Sequence, residues 1–511
     1  MDRRGMHVVA IMSFILLAIL VYSLASTPQV NAIPAFSRKY QTSCTTCHNN
    51  YPELNDFGLA FKQNGFKFPK DDETFVKEPP VLLGAKAQKE AFPDAVYPGQ
   101  IPGYLPIAFR YSGNFTWNAK QPQPLQAAGF VPQTDLFVPN TFTIISAGSF
   151  GPNLAFWIDD DISTAGSGAG GGLGDGYLRY NDLGHIFHLP KNALNVRFGQ
   201  FELDLPFTQA RSVYPSAYDV YSETAVGAGP TCGGAVTICQ TTSNPFFLGT
   251  PQRGIEFGGF PYNGNFTWSV AVVDGTNSSY GVPAVNANGT EVAGVPSLSA
   301  RNTKDVYIRV SQKFNLERDP ESRNGVQASG PTGPHDHTSI RVGAFYYHGT
   351  NQQNFGDSQF SGLGTIDEPF YRTGGDVRFK FRNRLEVFGL AMVGHDKNHL
   401  VNITTATPAI TSAPAITFTG GFAGTNLWIY PWLITYVRYD FVNSPTDFAN
   451  GISQYRTRNR YSPGFQILVR ANIKVIGEYQ YHWGQPYTDP TTTNTLFFRP
   501  NSFVGGVDYV F

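Results

Sequence analysis

The sequence predicts an all-β fold: a transmembrane antiparallel β-barrel of about sixteen strands, preceded by a small α-helical segment. Three observations carry this reading. Charged residues are only 15%, aromatics reach 14% and there are 53 Gly, whereas a soluble domain ordinarily carries about 25% charge. Mean hydropathy is nevertheless negative, at −0.21, as expected when each strand has one apolar face and one face on a polar lumen. Finally, tight turns alternate with long connections along the chain.

The N-terminus reads as an export signal. Arg3 and Arg4 precede an apolar run over 8–21, too short to span a bilayer, and a small residue, Ala32, marks the expected cut. Residues 1–32 contain Asp2, Arg3 and Arg4, which leaves 35 basic and 37 acidic residues in the mature chain. That near-neutral balance argues against a nucleic-acid partner. The expected organisation is a signal over 1–32, a small plug over 33–68, a Pro-rich linker over 69–105 and a barrel over 106–511.

Period-two alternation marks the strands. In 305–314, Val306, Ile308 and Val310 alternate with Tyr307, Arg309 and Ser311. The same pattern recurs over 376–381, 465–470 and 473–482, where Lys474, Glu478, Gln480 and His482 are expected inward. Tight turns fall at 150–153, 262–265, 382–383, 430–431 and 471–472, separated by long segments such as 202–253, 274–304 and 442–460, expected to lie outside. Short turns at one end and long loops at the other are the transmembrane-barrel pattern. The chain closes on Gly506, Tyr509 and Phe511, resembling the terminal strand read by the outer-membrane assembly machinery. Such a barrel leaves a lumen rather than a packed core. Arg309, Arg341, Arg378, Lys380, Arg438, Arg470 and Lys474 are expected to line it.

The chemistry-bearing motif is Cys44-Thr-Thr-Cys47-His48. In an exported chain, C-x-x-C-H attaches one covalent c-type haem through its two thiols, and the adjacent histidine is the proximal iron ligand. Without His48 the pair would read as a redox disulfide, and without export as half a zinc site. Cys232 and Cys239 lie in a long loop, where a local disulfide is expected in an oxidising compartment. After the motif, residues 52–65 predict a short helix, with Pro52 in the first turn and Gly65 as C-terminal cap. Leu54, Phe57 and Phe61 share a face for packing on the haem or on the wall.

Residues 33–66, with Ala35-Phe36-Ser37-Arg38, Cys44-x-x-Cys47-His48, Pro52-x-Leu54-Asn55-x-x-Gly58-x-x-Phe61-Lys62 and Gly65-Phe66, resemble the fused monohaem cytochrome-porin family associated with iron-oxidising bacteria. Val196–Phe207 resembles a further segment of such fusions. The resemblance implies an outer-membrane protein carrying electrons from an extracellular donor, with ferrous iron first, to a periplasmic c-type cytochrome or other soluble acceptor. As an enzyme it would be an Fe(II):cytochrome c oxidoreductase.

The sixth iron position is open on sequence grounds. The plug after His48 has no His or Met, and the mature chain's one Met is Met392, which shares inward parity with Glu386. Met392 is therefore the first candidate; His185, His188, His335, His337, an Asn or Lys of the plug, and an open position are the others. Asp159, Asp160 and Asp161, expected at the outer end of the third strand, read as a hard-cation attractor or as a solvated carboxylate run. Two other functions use the same parts: a diffusion porin gated by its haem segment, and a conduit running outward.

Overall fold

The computed structural model describes residues 35–68, 72–82, 90–94, 100–119, 133–164, 173–208, 212–221, 238–240, 246–261, 264–275, 281–282, 298–299, 303–316, 338–354, 365–382, 384–402, 409–443, 458–483, 487–488, 495–496 and 501–511. The export signal and Cys232 lie outside these residues, as do His335 and His337.

Sixteen strands close into one antiparallel barrel. In chain order they are β1 (Ile107–Asn118), β2 (Thr134–Phe150), β3 (Leu154–Thr164), β4 (Leu173–Tyr180), β5 (Asn195–Phe201), β6 (Gln252–Gly259), β7 (Phe266–Val273) and β8 (Asp305–Asn315), followed by β9 (Ser339–Asn354), β10 (Thr365–Phe381), β11 (Leu385–Asn402), β12 (Ala409–Tyr430), β13 (Leu433–Asn443), β14 (Arg458–Arg470), β15 (Ile473–His482) and β16 (Ser502–Val510). Each strand pairs with its sequence neighbour, and β16 pairs with β1, aligning Val507 with Gly113 and Tyr509 with Tyr111. The terminal Phe511 completes the seam, exchanging backbone hydrogen bonds with Phe109 and stacking on its ring at 5.3 Å. A short extra strand, Ile238–Gln240, pairs with the outer end of β11.

Closure leaves no open sheet edge, the condition for a sheet to cross hydrocarbon. The outward face is apolar: Ile255, Ile308, Val310, Val342, Val377 and Val387 are all exposed. Aromatic residues ring both ends, Tyr430 stacking on Trp432 at 5.3 Å at the turn end and Tyr439, Tyr481 and Trp483 gathering at the other. A closed barrel with an apolar belt between two aromatic girdles is an outer-membrane protein in contact with lipid. Among the described residues no helix is long and apolar enough to cross a membrane; the strands do so.

The inward faces are charged and paired. Arg309 forms two hydrogen bonds with Asp376 at 2.7 and 3.1 Å, and Arg372 does the same with Asp396 at 2.8 and 3.1 Å. Lys474 and Glu478 are buried inward as expected. Arg470 is a correction: a register shift in β14 between Leu468 and Arg470 turns it out to the exposed rim.

The long connection between β5 and β6 is the main departure from expectation. Rather than lying wholly outside, it folds back into the barrel. Leu203, Leu205, Phe207, Val213, Tyr214, Tyr218, Val220, Tyr221, Phe246 and Leu248 are buried against wall residues Phe388, Leu390, Phe422 and Tyr436. The cause is its composition, since these side chains are too apolar to leave in water. Phe207 contacts Phe388 and Phe422 at 5.0 and 5.3 Å, and Tyr218 contacts Phe422 at 4.4 Å.

The N-terminal segment fills the opposite half of the lumen. It contains α1 (Ala35–Tyr40), a single 3-10 turn over Cys44–Thr46 and α2 (Asp56–Gln63). Helix α2 starts later than the sequence suggested. Asn55 caps it, its Oδ1 accepting from Gly58 N at 2.8 Å, so Pro52 precedes the helix and Glu53–Leu54 instead pairs with His48–Asn50. Gly65, at φ +70°, ends the helix in the left-handed conformation a glycine tolerates.

Candidate haem-binding site

The C-x-x-C-H segment is held from both sides. Its two thiols flank one tight turn, with Cys47 N donating to Cys44 O at 3.1 Å, and they are not bonded to each other. Asn55 locks the turn onto the following helix: its backbone N–H donates to Cys47 O at 3.0 Å, and its Nδ2 to Thr46 O at 3.1 Å. Helix α2 comes so close that a Cβ on Gly58 would lie 2.0 Å from Cys47 O, so only glycine fits there.

His48 is oriented by its neighbour's backbone. Nδ1–H donates to Glu53 O at 3.3 Å, which in the neutral ring leaves Nε2 unprotonated, the tautomer needed for iron ligation. Burial lowers its pKa to about 4, against the raising effect of the Glu53 carbonyl, so the imidazole is neutral at ordinary pH. Burial, and then the neighbouring Cys44, push the Cys47 thiol up to about 12. The donor set therefore fits a haem c: two unpaired thiols on one turn and one neutral, pinned histidine. Among the described residues no group of three or more His, Cys, Asp or Glu could hold a metal ion.

Phe57 and Phe61 are buried with Tyr40, Phe66 and Phe68, and Cys47 packs against this cluster. Phe61 meets Phe36 edge-on at 5.0 Å and Phe57 meets Phe68 at 5.1 Å. Both predicted packing residues are thus beside the motif, while Leu54 sits on the paired strand.

Wall side chains anchor this segment at successive positions. Asn50 donates to Gln466, Lys474 donates to Tyr51 O, and Lys313 pairs with Asp56 at 2.5 Å. Glu53 lies beside Glu386; burial and that second carboxylate raise its pKa to about 8. At the turn end Arg38 donates to Leu105 O at 3.2 Å and Lys67 to Gly151 O at 3.4 Å. Sequence reasoning found none of these wall partners, because strand parity says which residues face in but not at what depth the plug rests.

Met392 does face inward, but into the aromatic layer with Phe388, Leu390, Phe418 and Phe422. It lies six residues along β11 from Glu386, roughly 20 Å at the usual strand rise, and the structure does not bring it together with Cys44, Cys47 or His48. His185 and His188 are exposed in the connection between β4 and β5. Asp159 and Asp161 line the inner wall, where Asp159 accepts from Trp157 Nε1 at 2.6 Å and from Asp175 N at 3.1 Å, and Asp161 accepts from Thr143.

No family model and no curated protein matches the chain. Solved structures do resemble it. They include OmpF of Salmonella typhi in complex with daunomycin, at 10% identity and TM-score 0.44 over 80% of this chain and 98% of that one. The outer-membrane channel DcaP of Acinetobacter baumannii matches at 11% and 0.46 over 79% and 96%, and an anion-selective porin from Comamonas acidovorans at 11% and 0.43 over 79% and 98%. The strand pairing itself establishes the porin-like barrel.

Proposed function

We propose that this outer-membrane barrel is an electron-transfer protein that carries a single covalent haem c on Cys44 and Cys47, with His48 as proximal ligand. The observation that supports the reading is the pinned C-x-x-C-H turn inside a closed barrel, its thiols free and its imidazole oriented by Glu53 O. Bound there, a haem c supplies reversible one-electron transfer. The chain's own task is positioning. Phe57 and Phe61 exclude water from the motif, Gly58 admits the covering helix, and Gln466, Lys474 and Lys313 fix the segment at one depth. The direction is inward: an extracellular ferrous ion loses one electron and a periplasmic c-type cytochrome gains it, which leaves the poorly soluble ferric product outside.

Anaerobic mixing of oxidised protein with ferrous salt tests this. The expected result is reduction of the haem spectrum, followed by reoxidation on adding an oxidised c-type cytochrome. No reduction at a pH where iron is a competent donor removes the iron reading.

The sixteen-strand architecture favours a second reading, a diffusion porin gated by its haem segment. Single-channel conductance separates the two. A lumen filled by both inserts passes little current, whereas a gated porin shows full-sized openings.

A further inference from the structure

One amide side chain of the barrel wall, Gln466, holds both lumen inserts at once, and a second, Asn426, joins the loop insert to Glu386 of the wall, beside the plug. Gln466, fully buried on β14, accepts from Asn50 of the plug through Oε1 and donates to Val213 O of the inserted loop through Nε2. Asn426, buried on β12, accepts from Tyr214 of the loop through Oδ1 and donates through Nδ2 to Glu386 at 3.0 Å. Glu386 in turn lies beside Glu53, the two carboxyl groups interacting directly, and the Glu53 carbonyl orients His48. Val213 and Tyr214 are consecutive, and so are the ends of their paths: Asn50 and Glu53 are paired across the small sheet that carries His48.

The loop end of this linkage is rigid. Arg438 donates to Ser216 O at 3.1 Å and Ala217 O at 2.7 Å, and its guanidinium stacks over Tyr214 and Tyr218 at 4.6 and 4.5 Å. Arg460 pairs with Asp219 at 3.2 Å. A buried amide whose two ends are both used cannot follow one partner without leaving the other unsatisfied. Displacing one insert therefore disturbs a hydrogen bond of the other.

We infer that Gln466, Asn426 and Tyr214 are positioning residues for the haem site, coupling the loop over 212–221 to the orientation of His48. They act through Asn50 and Glu53 and touch neither thiol nor the imidazole. The orientation and hydrogen bonding of an axial imidazole tune the iron it ligates, so displacement of the loop from the outer side alters the redox equilibrium of a centre held in the inner half. This rests on the haem reading of the C-x-x-C-H motif.

The test uses full-length, haem-loaded protein in detergent, comparing wild type with Tyr214→Phe, Asn426→Leu and Gln466→Leu. Haem stoichiometry and heat-dependent gel mobility establish loading and folding, and the reduced-to-oxidised ratio is read at a fixed ambient potential. The expected result is a ratio changed by about threefold or more in each variant, about 28 mV for a one-electron couple, with haem content unchanged. Tyr214→Phe keeps the ring and removes only the hydroxyl, so it remains informative if a wall variant fails to assemble. Unchanged ratios in folded, fully loaded variants overturn the coupling. Wild-type protein without covalent haem overturns the underlying haem reading instead, and the two failures are told apart by the stoichiometry.

Discussion

The two inserts inside this barrel both take polar contacts from the wall but differ in how many rings they add to them. The N-terminal plug is anchored to the wall by polar and charged contacts, Asn50 to Gln466, Lys474 to Tyr51 O and Lys313 to Asp56. The inserted loop between β5 and β6 adds to its polar contacts with Arg438 and Arg460 a layer of rings, with Phe207, Tyr214, Tyr218 and Tyr221 meeting Phe388, Phe422 and Tyr436. Hydrophobic burial is strong but non-directional, which suits a filler. Hydrogen bonds and ion pairs are weaker in net energy but fix geometry, which suits a segment that must present His48 at one depth.

The sharpest way to break that comparison is to remove each insert in turn. With a sixteen-strand wall, deleting residues 35–68 alone or replacing residues 203–221 with a short Gly-Ser linker alone leaves one layer in place. Each single variant is expected to conduct weakly in planar bilayers, and the combined variant to show large, steady openings. A large pore from either single deletion would mean that the other insert does not close the lumen.

Truncation of the aromatic layer comes next. Phe422 is 1% exposed and contacts Phe207, Tyr218 and Tyr221, so Phe422→Ala is expected to cost about 3–5 kcal/mol. The temperature at which the gel mobility of the folded barrel is lost should fall accordingly. If haem content also fell, the layers would be less separate than the contacts indicate.

How much of this was legible beforehand differs between the inserts in the same way. The plug is marked in the sequence by Gly58 and the cap-forming Gly65, because close approach and a left-handed turn demand glycine at particular positions, while Cys44, Cys47 and His48 mark the site proposed for haem. The barrel was legible from period-two strands and from turn lengths, down to the strand number. The loop carries no periodicity and no motif. Its one signal was composition, since Leu203, Leu205, Phe207, Tyr214, Tyr218 and Tyr221 are too many large apolar groups for a segment read as external. Depth was illegible throughout: parity correctly turns Met392 inward, but nothing local says that it lies some six residues above the level of Glu386. The bulge that turns Arg470 outward is likewise a property of pairing with β15, not of β14 alone.

A smaller effect sharpens the polar side of the comparison. Burial alone would raise the Asp56 carboxyl, but Lys313 and Lys380 together hold it below the usual carboxylate range. A carboxyl depressed in the folded state stabilises docking above its unfolded value, about 3.9, and that contribution is lost as pH falls through the folded value. Asp56→Asn leaves Lys313 buried without its anion, a cost of about 3 kcal/mol. The plug of this variant should be cut by protease at neutral pH while the aromatic loop stays protected. Wild type should resist there and become susceptible to pepsin only in strong acid.

The most direct measurement of the central claim uses proteoliposomes that hold an oxidised c-type cytochrome and a labelled sugar, with the outer face of the protein turned to the medium. Adding a membrane-impermeant one-electron reductant outside should reduce the enclosed cytochrome while the sugar stays inside, and His48→Ala should abolish the reduction. Release of the sugar with no reduction of the cytochrome would contradict an electron-carrying lumen and establish the gated porin in its place.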